Sequence, residues 1–360
     1  MLHLCRLTAA AWLVAAVAGT GLSAVQRSDR KTDTKTHQAA LQAQNRAQEA
    51  AVRLADAAMT GQPVPSDFSI QFQNDFLKAQ QSQVWVPFTL TMDPAKISGP
   101  VTMYLRAAPR GMTPPVVEPG KAARGKDHGT EVKKAGADPA TYPYQDTLFL
   151  DLKPAVQGQP IRVVRGIALP SGHYDFYVVV QEHPQGMSTA APKTAVLKQP
   201  LDVPDYSNGE LTTSTVILAD RVEQLDAPIA AAEQSLHPYA FGQTDIVVSP
   251  DRRFKKTQEL VVLLQIYNPT LSNEKKFNIE ATYTFFQVGA GGDTRFNSTE
   301  PQVFNSDTTS GFDPLKTSIQ AGEAIPLQSF PAGTYRLEIR VTDKLSSKIV
   351  TQNVNFTVTS

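Results

Sequence analysis

From Tyr335 the chain alternates: Tyr335, Leu337, Ile339 and Val341 are apolar, and the intervening Arg336, Glu338 and Arg340 are charged. A period of two predicts a strand with one buried and one solvated face, as in an antiparallel sheet. Just upstream, Pro331-Ala-Gly333 predicts a tight turn, because proline presets φ and glycine accepts the positive φ of a type II turn. Leu169-Pro-Ser-Gly-His-Tyr-Asp-Phe-Tyr-Val-Val-Val180 is a near copy of this stretch. Pro170, Gly172, Tyr174 and Val180 pair with Pro331, Gly333, Tyr335 and Val341 at a constant spacing of 161 residues, a repeat of domain size.

The same pattern runs through both halves. In the first, Phe68, Ile70 and Phe72 alternate with polar residues, and strands are predicted at 84–91, 101–106, 147–152, 161–169, 174–181 and 194–203. Pro87 removes a ladder donor and predicts an edge or a bulge at that point. In the second half, 212–218 answers the opening strand, 260–267 the strand around Trp85, and 277–288 the strand at 101–106. Strands at 326–328, 334–342 and 348–358 complete the copy. Asp93-Pro94 aligns with Asn268-Pro269 at a spacing of 175, so the first copy carries 14 extra residues before the later landmark. The Pro- and Gly-rich stretch 109–143, without periodicity, is the expected loop that holds them. Residues 204–209 read as a joint, and 221–238 has no counterpart in the first copy, with a short helix expected over 229–236.

Upstream, Thr36 to Thr60 is rich in Ala, Gln, Leu, Arg and Glu and closes on Gly61 and Pro63, which predicts one helix. Ala40, Ala43, Ala47, Ala51, Leu54 and Ala58 form a near-heptad seam of small residues. Two uses stay open for it: lying against the first sandwich or standing as a loose stalk, and self-association. Arg27 to Lys35 reads as a disordered polar lead-in. Before it, Arg6 and the apolar run Leu7 to Ala18 predict a signal peptide over 1–24, cleaved after Ala18 or Ala24, and too short a run to span a bilayer. The expected location is therefore periplasmic or secreted.

These patterns predict an all-β chain: two tandem antiparallel β-sandwiches of immunoglobulin or fibronectin III type, over 66–205 and 210–360, preceded by a signal peptide and one N-terminal helix over part of 25–65. Composition narrows the function. Lys+Arg and Asp+Glu stand at 34 each, so no net field favours nucleic acid or an anionic surface. The single cysteine, Cys5, lies inside the expected signal peptide, which removes disulfides, thiolate metal sites and cysteine nucleophiles from the mature chain.

Pro238-Tyr-Ala-Phe-Gly-Gln-Thr-Asp-Ile-Val-Val-Ser-Pro250, Leu260-Val-Val-Leu-Leu-Gln-Ile-Tyr-Asn268 and the Phe330 to Asp343 stretch carry a resemblance. They resemble the C-terminal tandem β-sandwich region of secreted bacterial von Willebrand factor A-related proteins of acidobacterial type. The likeness covers Thr212 to Ser360 well and Ser66 to Pro204 loosely. In such proteins the A domain carries a metal-dependent adhesion motif, Asp-x-Ser-x-Ser; the nearest string here is Asp307-Thr-Thr-Ser310, with no hydrophobic strand leading into it. The resemblance thus implies the accessory region without its metal site.

Other constellations are weak. His128, His173, His183 and His237 lie far apart, and the two that flank one strand could not share a metal. Gly289-Ala-Gly-Gly-Asp293 follows a strand and precedes no helix, so it predicts a hairpin turn and not a phosphate cradle. Asp307, Asp313 and Glu323 are loop carboxylates weighed as a Ca²⁺ site. Trp85, Phe88 and Tyr104 are a candidate glycan platform, with core positions as the simpler account. Arg110, Lys121, Arg124, Lys126, Lys133 and Lys134 make the long loop the candidate partner-binding element, because long loops on rigid sandwiches are where binding residues tend to sit. No catalytic, cofactor or metal residues are assigned. The expected function is a non-enzymatic structural or protein-interaction module of the cell envelope or exterior, its partner another envelope or secreted protein; the alternative is a carbohydrate-binding or carbohydrate-processing exoprotein.

Overall fold

The computed structural model describes residues 25–97, 99–115, 142–154, 156–183, 192–307 and 318–360, with side chains from residue 38 onward. The expected signal peptide lies outside them. By backbone contacts the chain divides after Ala47 into two compact units, and Gln48–Ser360 holds all the strands. One helix, α1, runs Val25–Met59, so the polar lead-in is helical and not irregular. Nothing in it breaks a helix, since no Gly or Pro occurs between Val25 and Met59. No helix among the described residues is long and apolar enough to cross a membrane.

The first half contains β1 (Ile70–Asn74), β2 (Leu77–Lys78), β3 (Gln83–Met92), β4 (Gly99–Pro109), β5 (Tyr144–Leu152), β6 (Ile161–Pro170), β7 (Gly172–Glu182) and β8 (Thr194–Val203). One sheet places β3 between β6 and the broken edge β1/β2; the other has the order β5-β4-β7-β8. Their facing residues form one core, with Val86, Phe88 and Leu90 of β3 against Met103 and Leu105 of β4 and Phe176 and Val178 of β7. Phe72, Phe88 and Phe176 pack ring to ring at 5.3–5.6 Å.

The second half repeats the plan. Its strands are β9 (Thr212–Thr213), β10 (Ile217–Gln224), β11 (Ala240–Phe241), β12 (Thr244–Val248), β13 (Arg253–Lys255) and β14 (Glu259–Tyr267). They continue with β15 (Asn278–Gly289), β16 (Gly292–Ser298), β17 (Gln302–Asn305), β18 (Ile319–Pro326), β19 (Gly333–Asp343) and β20 (Ile349–Thr359). One sheet has the order β11-β12-β10-β14-β18, the other β13-β20-β19-β15-β16. All pairings are antiparallel except β13 with β20, which run parallel. A second core gathers Val262 and Leu264 of β14 against Tyr283 and Phe285 of β15 and Leu337 and Ile339 of β19.

The strand orders of the two halves correspond. β14-β18 answers β3-β6, and β15-β19-β20 answers β4-β7-β8. At the head of β7 the Tyr174 hydroxyl donates back to the Pro170 carbonyl at 3.1 Å; at the head of β19 Tyr335 donates to Pro331 at 2.8 Å. Each phenol thus satisfies the carbonyl of the turn that its Pro-x-Gly motif makes, with Gly172 and Gly333 at φ 150° and 156°. The expected helix over 229–236 is replaced by successive turns, closed by bonds such as Leu236 N to Glu233 O at 2.8 Å. Pro228 and Pro238 bound too short a stretch for a helix to pay its nucleation cost. The glycine run at 289–293 does form a hairpin turn between β15 and β16, with Gly289 opposite Gly292.

Candidate functional site: the junction of the two sandwiches

Pro87 explains where the junction begins. Its carbonyl accepts from Asp75 N at 2.9 Å, but proline returns no N–H, and the edge strand breaks there into β1 and β2. The residue after the break, Phe76, turns its backbone to the second half: its N–H donates to Thr215 Oγ1 at 2.9 Å and its carbonyl accepts from Thr215 N at 3.2 Å. The same Thr215 hydroxyl donates to Asp75 Oδ1 at 3.0 Å, and Tyr239 Oη donates to Asp75 Oδ2 at 2.6 Å. Burial pushes the Asp75 carboxyl above its ordinary range, and the bonds from Tyr239 and Thr215 oppose that rise. Burial also raises the Tyr239 phenol, helped by the neighbouring Asp75.

Around this polar knot the two outer faces pack together. Leu77, Trp85 and Val164 meet Ile217, Ala219, Ile246 and Leu263. The segment without a counterpart in the first copy acts as a clasp: Gly166 N donates to Ser235 O at 2.9 Å and Trp85 Nε1 to Pro238 O at 2.8 Å. Gly166 must lack a side chain, because a Cβ there would lie inside the Trp85 ring and 2.8 Å from Pro238 Cβ. The expected joint at 204–209 is anchored as well. Tyr206 packs on Tyr267 at 4.8 Å and donates to Phe76 O at 3.2 Å, and Asn268 Nδ2 donates to Tyr206 O at 3.1 Å.

Where the two outer faces part, a groove of about 250 Å³ opens over Gln71, Thr89, Thr91 and Arg162 on the first sandwich, with Asp251 on the second as its far wall. It adjoins a void of about 10 Å³, the size of one water molecule, that reaches Asp75 and Tyr239. Gln73 and Thr89 line both. The Gln73 amide, with its nitrogen donating to Pro250 O, accepts from Arg252 Nε and Nη2 at 3.2 and 3.3 Å.

Of the basic residues of the long loop, Arg110 alone is described; Lys121, Arg124, Lys126, Lys133 and Lys134 lie outside the described residues, as do His128 and Asp313. Arg110 is spent at the root of that loop. Its guanidinium is 2.9 Å from Asp202 Oδ1 and 3.8 Å from Asp175, and His173 Nδ1 shares Asp202 at 2.6 Å. Hydrogen bonds from His173 and Arg110 hold the Asp202 carboxyl below its usual range.

Phe88 and Tyr104 are 0% and 2% exposed, so with the half-buried Trp85 they make no exposed platform. Glu323 sits within β18 opposite Val262 and not in a loop. Among the described residues no three His, Cys, Asp or Glu side chains gather as a metal site. The groove residues escaped sequence reading because they come from four separate segments, each polar residue looking like an ordinary solvated position.

No family model and no curated protein matches the chain. A solved structure of a mutant Salmonella alpha-2-macroglobulin is similar at 11% identity and a TM-score of 0.18, over 82% of this chain and 17% of that one. The same macroglobulin reacted with methylamine gives 12% identity and a TM-score of 0.20, over the same shares. The chain spans 17% of the length of these structures, and a likeness at such scores carries no argument about fold or function.

Proposed function

We propose that this chain is a non-enzymatic exported protein whose sandwiches are tandem immunoglobulin-like repeats serving as a structural or protein-interaction module of the bacterial envelope or exterior. The strand orders and the paired tyrosine turns support the immunoglobulin-like reading. Export rests on the apolar run at 7–18. One observation carries the functional reading: the buried charges join structural elements to one another. Arg106 ties α1 to β4 through Asp56, Asp75 ties the first sandwich to the second, and Asp343 closes the turns around β19. Partners on the polar rims and in the long loop, whose root Arg110 pins, fit that use of charge.

The test is capture from an envelope extract of the source cells with protein tagged at Ser360, beside a version lacking residues 109–143. A stoichiometric protein partner, lost with the loop, is the expected result; retention of no protein by either version would overturn the reading. A carbohydrate-binding exoprotein is the second reading. The groove favours it, since the aromatic row does not.

A further inference from the structure

Part of the polar lining of the junction groove is unspent, although Gln73 is held by Pro250 and Arg252 and Asp251 Oδ1 accepts from Ser249 Oγ at 3.3 Å. Thr89 is only 3% exposed, yet its hydroxyl has no hydrogen-bond partner among the described residues, nor do the Thr91 hydroxyl and the Gln71 amide. The Thr89 hydroxyl keeps contact with the open groove and is not sealed in the core, so it is free to bond to whatever enters. At the rim, Arg162 Nη2 and Asp251 Oδ2 stand 3.9 Å apart, too far for a hydrogen bond, with both side chains substantially exposed. Pro160 and Pro250 add apolar walls, so the groove offers hydrogen-bonding floor, mixed-charge rim and two flat rings.

That chemistry selects its ligand. Arg162 can only donate and Asp251 can only accept, so a group bridging them must do both at neighbouring atoms. A vicinal diol does so: one hydroxyl donates to Asp251 while its neighbour accepts from Arg162. The Thr89 and Thr91 hydroxyls and the Gln71 amide are each donor and acceptor and match further hydroxyls in the same way. Asp251 offsets the Arg162 charge and Asp220 stands near both, which disfavours an anion and leaves a neutral hydroxylated ligand suited to the rim. The volume, about 250 Å³, is at the small end for a ligand site and suits one or two sugar rings. An extended peptide also turns one residue's N–H and C=O to the same side, but the next such pair on that side comes only two residues on, whereas a sugar ring carries hydroxyls on successive carbons that can meet rim and floor together. We infer that the groove between the sandwiches binds one or two neutral pyranose rings of a saccharide, bridged by Arg162 and Asp251 at the rim and by Thr89 and Thr91 at the floor. This rests on the carbohydrate reading above and locates it.

The experiment is saturation-transfer NMR on the full chain with maltose, cellobiose and N,N′-diacetylchitobiose, followed by titration, for wild type and for Arg162→Ala and Thr89→Val. Thr89→Val keeps the side chain's shape and removes a hydroxyl that has no internal partner, so the fold is retained and near-UV circular dichroism confirms it. Transfer to at least one disaccharide is expected, with a Kd of about 1 mM that weakens about tenfold in Arg162→Ala and about threefold in Thr89→Val. If a disaccharide binds all three proteins equally, the groove is the wrong place and the carbohydrate reading survives. If none binds the folded wild type, both fall. Binding of trialanine that depends on Arg162, without any from the disaccharides, would also overturn the inference in favour of a peptide groove.

Discussion

Strands β7 and β19 carry the same turn, the same tyrosine and equally apolar inward residues, yet their outward faces differ completely. On β7, Asp175, Tyr177 and Val179 are all buried; on β19, the matching Arg336 and Glu338 are half-exposed and Arg340 is exposed. The difference lies in what covers them. Ala51 and Ala55 of α1 pack on Tyr104, Ala108, Tyr177 and Val179, and their small side chains let the helix approach the sheet closely. Within this contact Arg106, 1% exposed, donates to Asp56 Oδ1 at 2.5 Å and Tyr104 Oη at 2.8 Å, and its guanidinium lies 4.2 Å from the Tyr142 ring centre. Burial alone would lower the Arg106 pKa, but the tyrosines and Asp56 outweigh it and hold the charge. On the uncovered face of the second sandwich Arg336 makes a rim network with Asp293 at 2.6 Å and Glu338 at 3.1 Å, over the Phe286 ring. One sheet spends its polar groups holding a helix, the other keeping a face wet.

Removing residues 25–59 should break the contrast most severely. Tyr104, Tyr177 and Val179 would face water beside an unpaired Arg106, so the shortened protein should bind a hydrophobic dye and self-associate in size-exclusion chromatography. A dye-silent monomer would show that the helix is dispensable. Next in size, Arg106→Ala should cost about 3 kcal/mol in urea unfolding by cutting a buried charge network. Thr284, which faces Glu338 on the open sheet as Arg106 faces Tyr177, should tolerate Thr284→Ala within about 0.5 kcal/mol. Equal losses at both sites would erase the distinction between the faces.

Gly166→Ala tests whether the sandwiches are as tightly joined as the helix and sheet. Overpacking against Trp85 and Pro238 should cost about 2 kcal/mol, whereas Gly291→Ala, with no atom within 4 Å, should be neutral or slightly stabilising. The smallest expected effects concern pH, and two buried carboxylates give opposite signs. Despite the cost of its burial, Asp343 accepts from Thr270 N at 2.7 Å and Leu345 N at 2.9 Å, which holds it below its ordinary value of 3.8. Its stabilisation is therefore present above that value and lost as pH falls towards the lowered one. Asp75 is raised by burial, so its contribution is present below 3.8 and lost as pH rises through the raised value. Asp343→Asn should flatten the acid limb of a stability–pH curve by about 1 kcal/mol, and Asp75→Asn should remove the decline on the neutral side. Identical curves for the two variants would contradict these assignments.

Much of this was legible in the chain. The period of two in Tyr335 to Val341 placed β19 within a residue of each end, and the Pro-x-Gly copy located β7. The junction was not legible. Asp75, Thr215 and Tyr239 read as ordinary polar loop and strand positions, since nothing local marks a carboxylate whose partners come from the other half of the chain. Arg106 stood only as the last residue of the strand expected at 101–106, and the helix above it makes that position an interior one.

Local chemistry alone therefore determined the strands, the two turns, the helix-forming stretch and the duplication, because alternation, proline, glycine and alanine act over a few residues. Which faces are dry, how the sandwiches lock, and where a groove lined by threonine hydroxyls opens were decided by tertiary structure. Those properties depend on which distant surfaces exclude water from one another, and burial of that kind has no local signature.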